Sequence, residues 1–331
     1  LKLLKTLLLL IVLALGAAAA LVGWVAVAPV TSKPLEVAVM QGSGLRAIAR
    51  QAREAGVDMN EDLLVQGLKW ATQWTDRPVR AGLYDLPAGA SALTVLRSFT
   101  SGKPRLVSAR LPEGATFRDL LGWLAKSPYL VRDLSALKPA EAARLLGAAS
   151  ASELEGLYFP DTYLLNPGAK ESDVLRMARR AMDERLAGIW AQRAPDAALK
   201  SPREALILAS IIEKETGRDA ERPLVSAVFN NRLRIGMRLQ TDPTVIYGLG
   251  ERFDGNLRKV DLTTDTPWNS YTRGGLPPTP IALPSAASLM AAVQPAASQA
   301  LYFVARGDGT SEFSTNLADH NRAVNRYQRG Q

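Results

Sequence analysis

Ser201-Pro-Arg-Glu-Ala-Leu-Ile-Leu-Ala-Ser-Ile-Ile-Glu-Lys-Glu-Thr-Gly217 reads as one helix that must be buried on every side. Ser201 predicts the N-cap, Pro202 takes the first helical position, and Glu204 has the spacing of a capping box. From Ala205 to Ile212 only Ser210 is polar, so no face is left for water. Gly217 marks the expected stop. Just before it stand two acids, Glu213 and Glu215, at the negative end of the helix dipole, where Lys or Arg would stabilise. Local rules broken in this way are expected at functional sites. Glu213 shares a face with Ser210, Ala209 and Leu206. A carboxyl leaving a buried helix loses hydration, and both effects favour its neutral form. A neutral carboxylic acid is what a general acid must be, so Glu213 is the candidate catalytic acid and base. The alternative is an ordinary ion pair with Arg218, Arg222 or Lys214. Glu215, about 200° further round the helix, reads as a helix-terminal or supporting group. Ser210 and Lys214 do not have the Ser-x-x-Lys spacing of a peptidase dyad.

Upstream of this helix a short strand, a Gly turn and a helix recur three times. The first copy is Leu35 to Met40, Gly42-Ser-Gly44, then a helix over Leu45 to Ala55. The second is Tyr84 to Gly89, then a helix from Ser91 to Thr100; the third is Leu106 to Gly114, then a helix from Thr116 to Lys126. Thr116 with Asp119 predicts a capping box. Residues 130–200 read as helical, broken at Leu154-Glu-Gly-Leu-Tyr-Phe-Pro-Asp-Thr-Tyr163 by a turn or short strand. Downstream, Pro and Gly become frequent and helix signals are sparse from 240 to Ser285. Leu301-Tyr-Phe-Val304 and Glu312-Phe-Ser-Thr315 flank Arg306-Gly-Asp-Gly309 as a β-hairpin.

At the other end, Leu7 to Val30 carries no charge. At about 1.5 Å per residue such a helix exceeds the ~30 Å hydrocarbon of a bilayer. Lys2 and Lys5 precede it and no basic residue follows until Lys33, which keeps residues 1–6 in the cytoplasm and exports the rest. A cleaved signal peptide ending near Ala17 to Ala20 is the alternative, and it too exports the chain. Thr31 to Pro34 reads as a linker. The chain has 331 residues, 47% of them apolar, no Cys and one His, His320. Disulfide scaffolds, thiol nucleophiles and multi-histidine zinc sites are excluded, so no metal or cofactor is expected. A net charge of +8 is spread among acids without a nucleic-acid motif, so no nucleic acid is expected either.

Several motifs together resemble the YceG-like endolytic murein transglycosylase family. They are Leu208-Ala-Ser-Ile-Ile-Glu-Lys-Glu-Thr216, Glu155-Gly-Leu-Tyr-Phe-Pro-Asp-Thr-Tyr163, the run from Phe229 through Gln240-Thr-Asp-Pro-Thr244 to Gly248, Trp268-Asn-Ser-Tyr271 with Gly275-Leu-Pro-Pro278, and Leu301-Tyr-Phe-Val304 with His320-Asn321. The resemblance implies an α+β fold: a transmembrane helix over 7–30, a LysM-like subdomain over 35–105 and a catalytic domain over 106–331. It implies that Glu213 is catalytic. The implied substrate is peptidoglycan, cut within glycan strands between N-acetylmuramic acid and N-acetylglucosamine to leave a 1,6-anhydro end. Action at the inner membrane beside peptidoglycan synthases, the penicillin-binding proteins, is implied as well. Trp268 stands where Tyr is usual, and Ser311 where many relatives carry His.

Ordinary glycosidases use two carboxylates, whereas ring closure by an internal hydroxyl needs one. Gln240, Thr241, Asp242, Asn269, Tyr271 and Arg273 are candidate sugar-binding groups in loop-like segments, with turn chemistry as the competing reading, Asp242-Pro243 being a turn dipeptide. A hydrolytic muramidase using Glu213 and Asp242, and a non-enzymatic wall-binding anchor, stay open.

Overall fold

The computed structural model describes residues 2–329; within the first helix the side chains at 2–5, 7, 8, 18, 21, 22 and 25 lie outside the described ones. The orientation expected from Lys2 and Lys5 therefore falls outside them. The chain forms two compact units. One comprises Leu1–Ser108, Pro128–Val131 and Leu164–Lys170; the other comprises Ala109–Ser127, Arg132–Tyr163 and Glu171–Gln331.

The first unit begins with α1 (Lys2–Val27), followed by β1 (Leu35–Val39), α2 (Leu45–Ala55), α3 (Glu61–Thr75), β2 (Gly82–Leu86) and α4 (Ala92–Ser101). Strands β1 and β2 are antiparallel, with Leu35 opposite Leu86 and Val39 opposite Gly82. Strand alternation sends Leu35, Val37 and Val39 inward. There they meet Ile48, Ala49 and Ala52 of α2, Leu64 and Leu68 of α3, and Val95 and Phe99 of α4. Tyr84 and Phe99 meet edge to face at 5.0 Å. Helix α3 escapes the strand-turn-helix reading because only Leu64 and Leu68 on it are buried. Its start is nonetheless conventional, the Asn60 side chain accepting from the Asp62 and Leu63 amides.

Two findings concern the N-terminal segment. Among the described residues no helix is long and apolar enough to cross a membrane. Leu9, Leu10, Ile11, Trp24 and Val27 of α1 are exposed. The expected linker is not loose. Thr31 is buried, its hydroxyl donates to the Pro87 carbonyl, and Val30 donates to the Ala90 carbonyl. A buried backbone needs such partners, and here the neighbouring turn provides them.

The chain continues through β3 (Val107–Arg110), α5 (Phe117–Leu124), α6 (Pro139–Leu145), β4 (Thr162–Leu165), α7 (Glu171–Trp190), α8 (Pro202–Glu215), α9 (Arg222–Arg234), α10 (Asp242–Leu249), α11 (Lys259–Thr263), α12 (Ala286–Val293), β5 (Tyr302–Ala305), β6 (Ser311–Ser314) and α13 (Leu317–Gln328). Strands β3 and β4 pair, as do β5 and β6; the latter is the expected antiparallel hairpin. The fold is mixed α+β with small sheets, as expected. The second unit is built round α8. Every residue from Ala205 to Ile212 is buried, packed by Met182 and Ile189 of α7, Val225 and Phe229 of α9, and Leu289, Ala292 and Val293 of α12.

Three details of the sequence reading change. Ser201 caps α8 through the Glu204 amide, but Glu204 accepts from the Lys200 amide, so the box is half formed. The helix stops at Glu215, and the Thr216 amide still bonds back to Ile212. Asp242-Pro243 opens α10 and is not a turn, since proline is well placed where a helix has no use for an N–H.

Gly156 takes φ +74°, and a Cβ added there would lie 2.5 Å from Pro280. Gly307, at φ +87°, faces open space. Gly307→Ala is expected to lose only the left-handed strain, about 1–2 kcal/mol. Gly156→Ala adds a collision and is expected to lose clearly more. Urea unfolding of both variants measures this, and equal losses contradict the packing described.

Candidate active site

The end of α8 places its two acids in different surroundings. The Glu213 side chain is only 6% exposed. Its Oε2 accepts three hydrogen bonds: from the Ser285 amide at 2.9 Å, the Ser285 hydroxyl at 2.6 Å and the Ser288 hydroxyl at 2.7 Å. Ser285 is the N-cap of α12 and Ser288 lies in its first turn. The carboxylate thus sits on a helix N-terminus, where anions are favoured. The Arg222 guanidinium adds a positive charge 3.6 Å from Oε1. Glu213 therefore ties α8 to α12. The expected burial is present, and the groups that meet the carboxyl are donors and a cation. Of the three cations considered as partners, Arg222 is the one that reaches it. Lys214 donates to the Gly114 carbonyl and Arg218 to the Asp308 carbonyl.

Glu215 meets the groups expected around Glu213. Its Oε1 accepts from the Thr241 hydroxyl. Desolvation by burial raises its pKa above the ordinary carboxyl value; the Thr241 hydrogen bond opposes this and the nearby Asp242 charge adds to it. Tyr271 donates to Asp242 at 2.6 Å. Burial, together with Asp242, pushes the Tyr271 hydroxyl far up, so it stays a donor. Gln240 has φ +47°, a left-handed conformation rare outside glycine. Its amide is fixed to the Ser270 carbonyl, and the next amide, of Thr241, to the Ser270 hydroxyl. Backbone strain of this kind costs about 1–3 kcal/mol and concentrates at functional sites. Arg232 is buried and donates to the Leu301 and Leu239 carbonyls, which puts a cation near Glu215 without a direct ion pair.

Other residues singled out have structural work. Asn269 is fully buried; its amide nitrogen donates to the carbonyls of Asp261, Leu262 and Thr264, and its oxygen accepts from the Tyr271 amide. It shapes the loop that presents Tyr271. Arg273 is exposed and paired with Asp265. Ser210 donates to the Ile207 carbonyl and accepts from the Ile281 amide, which leaves it no role as a nucleophile. His320 stacks on Tyr302, and burial lowers its pKa. The two family departures are also engaged. Trp268 donates to Thr279, and Ser311 donates twice to Glu221. A signal for Glu215 was present in the sequence: two acids at one helix end, of which only one can face a given partner.

A model of the YceG-like family matches residues 37–326. The chain belongs to the YceG-like family. The endolytic murein transglycosylase of Bacillus subtilis (strain 168) is 37% identical over 175 residues, which is 53% of this chain and 48% of that protein. The endolytic murein transglycosylase of Streptococcus pneumoniae serotype 2 is 26% identical over 331 residues, 89% of this chain and 58% of that one. The chain thus spans about half the length of these relatives. A crystal structure of a YceG-like protein from Listeria monocytogenes superposes with a TM-score of 0.56 at 25% identity, over 88% of this chain and 99% of that one.

A third buried acid in this YceG-like chain is Glu155, beside a cavity of about 530 Å³ walled by Phe117, Tyr247, Phe253 and Trp268. It accepts from the Phe117 amide at 2.9 Å and the Tyr247 hydroxyl at 3.1 Å. Burial pushes it from 4.5 up to about 7. A carboxyl raised on folding contributes stability that is full below its unfolded value and lost as pH rises through its folded one. Stability is therefore expected to fall between pH 4.5 and 7, on the order of 3 kcal/mol from this group. Glu155→Gln should flatten that slope in urea unfolding at pH 5, 6 and 7; an unchanged slope contradicts it.

Proposed function

We propose that this chain is an endolytic murein lytic transglycosylase, anchored by α1 in the inner membrane with residues 1–6 in the cytoplasm and the catalytic domain in the periplasm. The observation that carries the reading is the cluster at the end of α8. Its members are a desolvated Glu215 with raised pKa, Thr241 bonded to it, Asp242 held by Tyr271, and Gln240 on strained backbone. The names of the relatives support murein as the substrate; cleavage between N-acetylmuramic acid and N-acetylglucosamine is part of the proposal.

In this reading Glu215 is the acid and base, and Glu213 is a positioning residue that fixes the end of α8. Protonated Glu215 gives its proton to the glycosidic oxygen of the departing N-acetylglucosamine as the bond to muramic C1 breaks. The resulting carboxylate takes the proton of the muramic C6 hydroxyl as that oxygen bonds to C1. A 1,6-anhydro end forms, no water is consumed, and one carboxyl suffices. Tyr271, Gln240 and Thr241 are suited to sugar hydroxyls and amides. Strand termination beside penicillin-binding proteins, and a LysM-like role for 35–105, belong to the same proposal.

Two alternatives have an observation behind them. Glu213 as the acid is favoured by its near-complete burial. Hydrolysis is favoured by Asp242, a second carboxylate close enough to act on Glu215. Digestion of purified peptidoglycan with mass spectrometry of the products addresses both. The expected ends are anhydro, one water lighter than hydrolysed ends, which would instead make the chain a muramidase. Glu215→Gln should lower cleavage by about 10²-fold or more while the protein stays folded. Glu213→Gln should lose about 1–3 kcal/mol of stability yet retain measurable cleavage. The reverse pattern, with Glu213→Gln dead and fully stable, returns the donor role to Glu213.

A further inference from the structure

We propose that the first unit docks on the membrane interface through the apolar groove between α3 and α4, with Trp70 and Trp74 among the lipid headgroups. The proposal rests on the reading of α1 as a membrane anchor.

Trp70 is 76% exposed and Trp74 is 90% exposed. With Leu63 and Gly67 they fall at helical spacing along one stripe of α3. Gly67 lets α4 approach closely, since a Cβ there would lie 3.0 Å from the Leu96 side chain. The groove beside it, about 790 Å³, is lined by Trp70, Trp74, Leu93, Leu96 and Arg97. Indole is costly to leave in water, and an apolar patch of this kind marks an interaction surface. Tryptophan is the side chain most at home where hydrocarbon meets headgroups, because its ring is apolar and its N–H needs a partner.

The place of the groove selects the occupant. Pro29, two residues beyond α1, pairs with Ser91, the N-cap of α4. Val30 donates to the Ala90 carbonyl at 2.8 Å, and the Val30 carbonyl accepts from the Asp58 amide. Thr31 is held through both its carbonyl and its hydroxyl. No slack separates the apolar helix from the unit. If α1 ends at the membrane surface, α4 starts there, and Leu93 lies within its first turn. Trp24 and Val27, in the last turn of α1, are exposed as well. Arg97 on the groove wall supplies a guanidinium suited to lipid phosphate.

The chain has no native cysteine, so single-cysteine variants report cleanly. Full-length Gln66→Cys, on the groove rim, and Leu13→Cys, within α1, carry an environment-sensitive fluorophore in nanodiscs holding one chain each. The expected result is quenching of the Gln66→Cys label by lipids spin-labelled near the headgroup, several-fold stronger than by a water-soluble quencher. The Leu13→Cys label should respond to lipids labelled deep in the acyl chain. Adding Trp70→Ser and Trp74→Ser should return the groove label to water and leave the Leu13→Cys label unchanged. A groove label open to water while the α1 label is in lipid overturns the proposal and spares the anchor. An α1 label outside lipid overturns the anchor, and the proposal with it. Shielding of the groove label that appears only with two chains per disc assigns the groove to a second copy and also overturns it.

Discussion

A helix buried on every side forces a decision about its last turn. α8 has eight consecutive buried residues, so its C-terminal carbonyls and the acids beside them emerge in poorly hydrated surroundings. Each acid there must find compensation or keep a proton. Glu213 finds it by pointing at the start of α12, where the amide and hydroxyls of Ser285 and the hydroxyl of Ser288 meet one oxygen. The negative end of one helix dipole is joined to the positive end of another through a carboxylate. Glu215 finds far less: one hydroxyl, a cation that does not touch it, and another carboxylate nearby. The two acids, two residues apart, thus meet very different surroundings, and the proposed assignment of roles rests on that asymmetry.

The scaffold opposite Glu215 is built to hold its shape. Ser270 bonds the amides of Gln240 and Thr241, and Asn269 gathers three carbonyls of the preceding segment. Side chains positioned by buried polar networks lose little further freedom when a ligand arrives. The left-handed Gln240 is then a conformation held by its neighbours, consistent with a site where geometry takes precedence over local stability.

Much of this was legible in the residues alone. The strand-turn-helix copies gave α2, α4 and α5, the capping box of Thr116 and Asp119 formed as read, and the terminal hairpin appeared in place. Thr241, Asp242 and Tyr271, read from the sequence as polar groups around Glu213, lie together beside Glu215. What failed was anything decided by distant partners. Periodicity places Glu213 on the buried face, but it does not show that α12 brings an N-terminus to meet it. α3 and α10 were missed because the first buries only two side chains and the second opens on Asp-Pro, which locally resembles a turn. Thr31 looked like linker because its partners, Pro87 and Ala90, lie more than fifty residues away in sequence.

The central claim is that Glu215, desolvated at the end of α8, keeps its proton above the ordinary carboxyl range. The most direct test is a carboxyl titration by infrared difference spectroscopy or carbon NMR on glutamate-labelled protein, with each resonance assigned by its Gln variant. The account predicts that the signal lost in Glu215→Gln titrates above the ordinary carboxyl range. A signal lost in Glu215→Gln that titrates within the ordinary carboxyl range would contradict it.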